Sequence, residues 1–305
     1  MNDKICFIRV KKIEDYVFNG IRNSGFKIMI PYTDVNLFRR ILREIWFRLK
    51  LPFRKIFFNS ELKNIKENII IIKDPLMVSE VVEYIRKLYP EKFIIFNYDN
   101  RVSMSIDPEK IRKYCDEIWS YDNDDCQKYN FKFSDCSYFD VYKTEINKNP
   151  EYDIFYIGKD KGRMKKVFEV EKRLNEKGFK TYFYICADRE FLRRTNKNYK
   201  RFLPYSKYLE ILRNSRAVLN IVQEGQTSIT QREMETVFDN IKCITDNKGI
   251  FNFKFYDESR YYYLDGKNYD GIKDFLNSPF KPVDPEELEP YKFSNRIKSM
   301  LKGRI

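Results

Sequence analysis

The chain has 305 residues, 43% apolar and 17% aromatic, with 58 Lys and Arg against 45 Asp and Glu, a net charge of +13 and no histidine. This composition belongs to a globular protein of about two domains and excludes a disordered one, while the absence of histidine excludes serine–histidine hydrolase chemistry and leaves proton transfer to Asp, Glu, Tyr or Lys. The positive excess asks for an anionic partner: nucleic acid, acidic lipid or nucleotide phosphate.

The N-terminal run MNDKICFIRVKK has neither the apolar stretch nor the cleavage site of a secretory signal, which predicts a cytosolic protein. The first half then alternates β-rich runs at 5–10, 26–31, 68–73, 93–98, 117–122 and 136–142 with helical patterns near 35–51, 77–89 and 107–115. Such alternation predicts a doubly wound α/β domain with parallel strands. The longest apolar runs, NIIII at 68–72 and FIIF at 93–96, fall far short of the ~20 residues that cross a bilayer. Six scattered cysteines without a C-x-x-C pair predict reduced thiols, with no zinc site and no disulfide framework.

Within this half the segment NLFRRILREIWFRLKLPFRK (36–55) carries seven basic residues against the single acid Glu44. On a helical wheel Leu37, Phe38, Ile41, Leu42, Ile45, Trp46 and Leu49 fall on one half and Arg39, Arg40, Arg43 and Lys50 on the other, with Phe47 and Arg48 out of place. Two readings fit: the apolar half packs on the sheet of the first domain, or the helix lies in a membrane interface with Arg39, Arg40, Arg43, Trp46, Phe47 and Lys50 at an anionic surface.

The polar, Pro-containing stretch KTEINKNPEYD (143–153) reads as a linker, after which the pattern restarts. The expected domains are 1–145, 146–285 and a C-terminal helix at 286–305 that returns to the first domain. The second half carries a strand at 153–158, a helix at 163–178 ended by Gly178, strands at 181–186, 201–205 and 217–222, a helix opened by Ser206, a helix after Thr230, a strand at 242–246 and a last helix near 291–302.

Two stretches carry candidate chemistry. YIGKDKGR (156–163) places Gly158, Lys159, Lys161 and Arg163 between a strand and a helix, where close backbone approach, free N–H groups and positive charge suit a phosphate; the same residues suit a solvated basic turn. The second follows strand 217–222 with a polar loop and then Arg232 and Glu235 one helical turn apart. Loops at strand carboxyl ends bind ligands in doubly wound sheets, and an arginine and a carboxylate there fit the diphosphate and hydroxyls of a nucleotide sugar. An ordinary surface ion pair has the same spacing.

The run Gln226-x-Ser228-Ile229-Thr230-x-Arg232-x-x-Glu235, followed by IKCITDNKGI (241–250) and FKFYD (253–257), resembles the donor-domain signature of bacterial glycosyltransferases of lipopolysaccharide-core biosynthesis. YIGKDKGR, the run SKYLEILRNSRAVLNIV (206–222) and WSYDNDDCQKYNFKF (119–133) extend the resemblance over most of 117–277, while the first hundred residues match only in pattern. Ser228 stands where that family usually has glycine, and the pair of glutamates eight apart of many retaining members is absent, Glu224 and Glu235 being eleven apart.

The resemblance implies an α/β fold of two Rossmann-like domains facing a cleft, the GT-B architecture, and a nucleotide-sugar donor held without metal or other cofactor. It implies that Gly158, Lys159, Lys161, Arg163, Gln226, Thr227, Ser228, Thr230 and Arg232 surround the diphosphate, that Glu235 meets ribose or sugar, and that Pro204 and Tyr205 flank the base. The acceptor, a lipid-linked or surface-polysaccharide glycan at the inner face of the cell membrane, would in an inverting reaction be deprotonated by a carboxylate at a strand end of the first domain, for which Asp99 is the candidate; an Asx-turn role suits Asp99 better still. Three other classes fit parts of the sequence: a GT-B scaffold without turnover, a nucleotide-sugar epimerase and a basic nucleic-acid-binding protein. The last lacks any recognised motif, so no nucleic-acid partner is expected.

Overall fold

The computed structural model describes residues 2–11, 15–33, 37–134, 136–188 and 190–304. Two parallel sheets interleaved with helices organise the chain into two Rossmann-like units, Met1–Asp135 with Ile297–Ile305, and Cys136–Arg296.

In the first unit β1 (Ile5–Ile8), β2 (Lys27–Met29), β3 (Ile69–Lys73), β4 (Phe93–Tyr98), β5 (Glu117–Ser120) and β6 (Lys132–Phe133) lie in the order β2-β1-β3-β4-β5-β6, each pair parallel. Helices α1 (Tyr16–Asn23), α2 (Leu37–Arg48), α3 (Glu80–Leu88) and α4 (Asn123–Tyr129) fall between them. Every residue of β1 and β3 is buried, because helices cover both faces of a parallel sheet, and this gives the unbroken apolar runs of the sequence.

Several elements differ from the sequence reading. Helix α1 has no strong pattern and contains Gly20, yet Asp15 caps it by accepting from the Phe18 N–H at 3.0 Å, and Phe18 and Ile21 anchor it in the core. The helix expected at 107–115 is instead two short 3-10 turns, Pro108–Lys110 and Arg112–Tyr114, interrupted at Ile111. The strand expected at 136–142 is one bridge from Tyr138 to Lys292 and a 3-10 turn at Asp140–Tyr142.

The second unit contains β7 (Tyr152–Lys159), β8 (Thr181–Cys186), β9 (Ser215–Asn220), β10 (Lys242–Thr245) and β11 (Tyr261–Tyr263), parallel in the order β11-β10-β9-β7-β8. Its helices are α5 (Met164–Glu176), α6 (Tyr205–Arg213), α7 (Gln231–Asp239), α8 (Ile272–Asn277), α9 (Pro285–Leu288) and the start of α10 (Phe293–Met300). The run 201–205 forms no strand: Pro204 caps α6, and pairing there is limited to a bridge of Lys200 with Cys186.

The division at 135/136 precedes the expected 145/146 because Tyr138 already belongs to the second core. Its ring stacks on Phe238 at 4.2 Å and its hydroxyl donates to Asp239 at 2.7 Å. Residues 286–296 group with the same unit, and 297–305 with the first, where Arg304 donates to Glu117 at 2.6 Å.

In each sheet the chain runs from its first strand to one neighbour and then crosses to the other side. A topological switch point therefore lies between β1 and β3 in the first sheet and between β7 and β9 in the second. Ligands of open parallel sheets bind at strand carboxyl ends beside such points.

The faces of α2 are reversed from the packing that its apolar stripe suggests; residues 34–36, the start of the expected helix, lie outside the described residues. Arg43 is 2% exposed with its guanidinium 4.6 Å over the Tyr32 ring, and Phe47 packs edge-on against Tyr32 and Phe57. Both belong to the set that the sequence assigns to a membrane surface, and their burial removes them from it. A delocalised guanidinium stacks on an aromatic face where an ammonium would stay hydrated, so Arg43 with Phe47 forms the inner face. Trp46 is half-buried, its Nε1 donating to the Pro52 carbonyl at 2.7 Å.

Candidate functional site at the second switch point

The loop from β7 to α5 turns through two successive left-handed residues, Lys161 at φ +46 and Gly162 at φ +78. Two carboxylates pin it. Asp160 accepts from the Met164 N–H at 2.7 Å and from the Tyr199 hydroxyl at 2.6 Å, and Asp188 accepts from the Lys161 N–H at 3.0 Å. Arg163 faces inward and ties two strand ends together, donating to the carbonyls of Lys159 at 2.8 Å, Asp160 at 3.2 Å and Ile221. Lys159 lies 4.7 Å over the Phe202 ring, and Lys161 is exposed.

The loop after β9 is held from beneath by a polar network that sequence reasoning missed. Glu233, fully buried, accepts from the Thr230 N–H at 2.7 Å, the Thr245 hydroxyl at 3.1 Å and the Asn247 amide at 3.0 Å, and Asn247 also donates to the Ser228 carbonyl at 3.1 Å. The Thr227 carbonyl rests on Gly249, where a Cβ would stand 1.7 Å from its oxygen. The left-handed position of the loop is Gly225 at φ +71, so Ser228 needs no glycine. This fixes Gln226, Thr227, Ser228 and Thr230 above the ends of β9 and β10. The available signal was the Thr230-x-x-Glu233 spacing, that of a capping box.

Arg232 is the centre of the site. One guanidinium nitrogen donates to the Ile157 carbonyl on β7 and the other approaches Asn220 at the end of β9 at 3.5 Å, so the side chain spans the crevice between the two switch-point strands. It lies 5.3 Å over the Tyr156 ring, in space left by Gly158. Its Nε and the Tyr156 hydroxyl are buried without a hydrogen-bond partner among the described residues. Surrounding protein and then the charges of Arg163, Lys159 and Arg232 lower the Lys161 ammonium from its ordinary value, and burial followed by the charge of Arg232 lowers Arg163. Lys161 thus feels Arg163, Lys159 and Arg232 with Asp188 opposing, and Arg163 feels Arg232 with Asp246 and Asp160 opposing, an excess of positive charge that an anion stabilises.

Glu235 does not join them. It is 2% exposed and faces α6, where Tyr205 donates to one carboxylate oxygen at 3.3 Å and Tyr208 to the other. Burial pushes its carboxyl up to about 8, with Asp239 adding and Tyr208 and Arg232 opposing. Arg232 and Glu235 therefore share neither a surface ion pair nor a common ligand-facing side: one reaches the sheet, the other holds the two tyrosines. Tyr205, beside the cap residue Pro204, stays half-buried with its ring stacked on Tyr208 at 5.2 Å.

At the switch point of the first sheet, Asp99 after β4 sits 2.8 Å from the Lys73 ammonium and pairs with Arg9. Its side chain is 24% exposed, more than either cation. Behind it Asp74 is fully buried and accepts from Asn100 and Ser105; burial raises its carboxyl, and the charge of Asp99 adds to the effect. Among the described residues no acidic or thiol cluster has metal-holding geometry, and no helix is long and apolar enough to cross a membrane.

No family model and no curated protein matches the chain. Solved structures similar over nearly its whole length include the apo form of the lipopolysaccharide outer core galactosyltransferase WaaB, at 16% identity with 97% of each chain covered and a TM-score of 0.48. An alpha-glucosyltransferase in complex with UDP and a 13-mer DNA is 13% identical, with 98% of this chain and 90% of that one covered and a TM-score of 0.49. The UDP-GlcNAc 2-epimerase of Methanocaldococcus jannaschii, in complex with UDP-GlcNAc and UDP, is 11% identical, with 98% of each chain covered and a TM-score of 0.48.

Proposed function

We propose that the protein is a glycosyltransferase of GT-B type that takes a sugar from a nucleotide-sugar donor and places it on a lipid-linked or surface-polysaccharide glycan at the cytosolic membrane face. The observation that carries this reading is Arg232 spanning the β7–β9 crevice, its charge felt by Lys161 and Arg163 on the neighbouring loop and its Nε buried without a partner among the described residues. In transfer the bond from the sugar C1 to the diphosphate oxygen breaks and its electron pair leaves with the diphosphate. Arg232, Lys159 and Lys161 offset that charge, and Arg163 holds the loop that presents them. The loop Gln226–Thr230 and the backbone at Gly158 line the phosphates, and Tyr205 with Pro204 flanks the base. Glu235 positions Tyr205 and does not touch the donor. The acceptor oxygen bonds to C1 as its proton passes to a base, a carboxylate in an inverting reaction.

A transfer and donor-hydrolysis assay across UDP-, GDP-, CDP- and ADP-sugars tests the reading: turnover of one base class is expected, and none in Arg232→Ala. The enclosure of Glu235 by two tyrosines favours one second reading, a GT-B scaffold that binds a nucleotide sugar without transferring it. Saturable binding with no product would mark that case.

A further inference from the structure

Helix α2 turns an apolar stripe to solvent. Phe38, Ile41, Leu42, Ile45 and Leu49 are exposed, Phe38 by 74%, and their helical spacing places them within a sector about 100° wide. That sector lies opposite Arg43 and Phe47, which fix the helix to the core. Phe53, left-handed at φ +60 and 78% exposed, and Ile56 prolong the apolar surface beyond the helix end. Phe38, Leu49, Phe53 and Ile56 are more than half exposed and Ile41, Leu42 and Ile45 nearly so, and a stripe of large apolar side chains left in water marks an interaction surface.

The surroundings state the chemistry of the partner. Arg48, Lys50 and Lys55 are exposed around the stripe, and a groove of about 520 Å³ at its end is lined by Lys50, Pro52, Phe53, Arg54, Lys55 and Ile56. The local acids are already engaged, Glu44 with Arg40 at 3.3 Å and Glu80 with Arg54. An apolar stripe rimmed by cations complements an anionic bilayer. A two-fold pairing of this face with a second copy of the chain would bring two identical basic rims together, which charge opposes.

We propose that α2 and the segment Phe53–Ile56 dock the protein on an anionic lipid bilayer. The helix lies in the plane of the interface with Phe38, Ile41, Leu42, Ile45 and Leu49 toward the acyl chains, and Lys50 and Lys55 meet headgroup phosphates. This deepens the membrane-face part of the reading above and stands on the first unit alone.

Vesicle flotation of the full chain tests it, using phosphatidylcholine alone and phosphatidylcholine with about a third phosphatidylglycerol. The expected result is flotation with the anionic vesicles only, weakened by salt. The variant Ile41→Ser/Ile45→Ser/Phe53→Asn should lower the bound fraction at least tenfold, and Lys50→Glu/Lys55→Glu should abolish the preference for anionic lipid, both melting as wild type. Failure of the folded wild type to float, or flotation indifferent to both variants, overturns the proposal. So does a concentration-dependent dimer in light scattering that the triple variant dissolves, which would make the face a self-association surface. Nucleotide-sugar binding measured on the same samples separates the two readings: it persists if docking alone fails, and is missing while flotation persists if the donor reading alone fails.

Discussion

Gly158 and Arg232 share one volume: a Cβ on Gly158 would stand 3.0 Å from the Arg232 guanidinium and 3.0 Å from the Tyr156 hydroxyl. The arginine reaches across the β7–β9 crevice because the strand beneath it carries no side chain at that point. Gly158→Ala should therefore displace Arg232, at a stability cost of about 1 kcal/mol, and weaken nucleotide-sugar affinity about tenfold, or ~1.4 kcal/mol. Thermal melting and a calorimetric titration on the same variant check both numbers.

The Glu233–Asn247 network is expected to govern the donor loop without touching donor. Glu233→Ala leaves the Thr230 N–H, the Thr245 hydroxyl and the Asn247 amide without their acceptor, which should cost roughly 2–3 kcal/mol. Gly249→Ala should be worse for the loop than for the core, since the new methyl would meet the Thr227 carbonyl oxygen at 1.7 Å. Melting temperature for the first, and nucleotide-sugar affinity at unchanged far-ultraviolet circular dichroism for the second, give the readouts. A Glu233→Ala protein that melts like wild type would contradict the network.

Stability should fall as pH rises from about 4.5 to about 8. Burial raises Glu235 from 4.5 to about 8 and Asp239 from 3.8 to about 6, so over these windows the folded chain holds protons that the unfolded chain has released. Stability then decreases with pH wherever the native state binds more protons. This contribution is fully present below about 4 and gone by about 8. Melting temperatures across this range should slope downward for the wild type and flatten between about 6 and 8 in Glu235→Gln, whose amide cannot ionise, while the slope from Asp239 below about 6 persists.

Reversing charge on α2 distinguishes its two faces. Arg43→Ala removes a buried guanidinium stacked on Tyr32 and should cost about 1–3 kcal/mol, whereas Arg48→Glu changes an exposed residue and should stay within about 0.5 kcal/mol. Denaturant midpoints compare them directly. Equal effects would mean that the helix is rotated from the orientation described.

The buried strands β1, β3 and β4 were legible in the sequence because burial on both faces leaves apolar runs such as NIIII, which survive without context, whereas β6 and β11, of two and three residues, leave no such run and were missed. That Gly158 ends a strand and that Arg232 opens a helix was legible too. Orientation was not. The segment QREMETVFD looks half polar, yet Glu233 through Asp239 are all buried, and only tertiary contacts with Asn247, Tyr205 and Tyr208 decide that one glutamate anchors a loop and the other two tyrosines. The same gap reversed α2: periodicity grouped its apolar residues correctly, but the inner face was chosen by Tyr32 and Phe57, which pack on Arg43 and Phe47 from the segments on either side of the helix. Helix α1 and the 3-10 turns near 107–115 were missed or misread because caps and single breaks, rather than periodicity, set such short elements.

Cations at the carboxyl ends of β7 and β9 are expected to grip a diphosphate, and titration of wild type and Arg232→Ala with a panel of nucleotide sugars tests this most directly. Saturable binding of one base class is expected in the wild type, weakened a hundredfold or more, about 2.7 kcal/mol, in the variant while its circular dichroism is unchanged. Binding of equal strength in both proteins would contradict it.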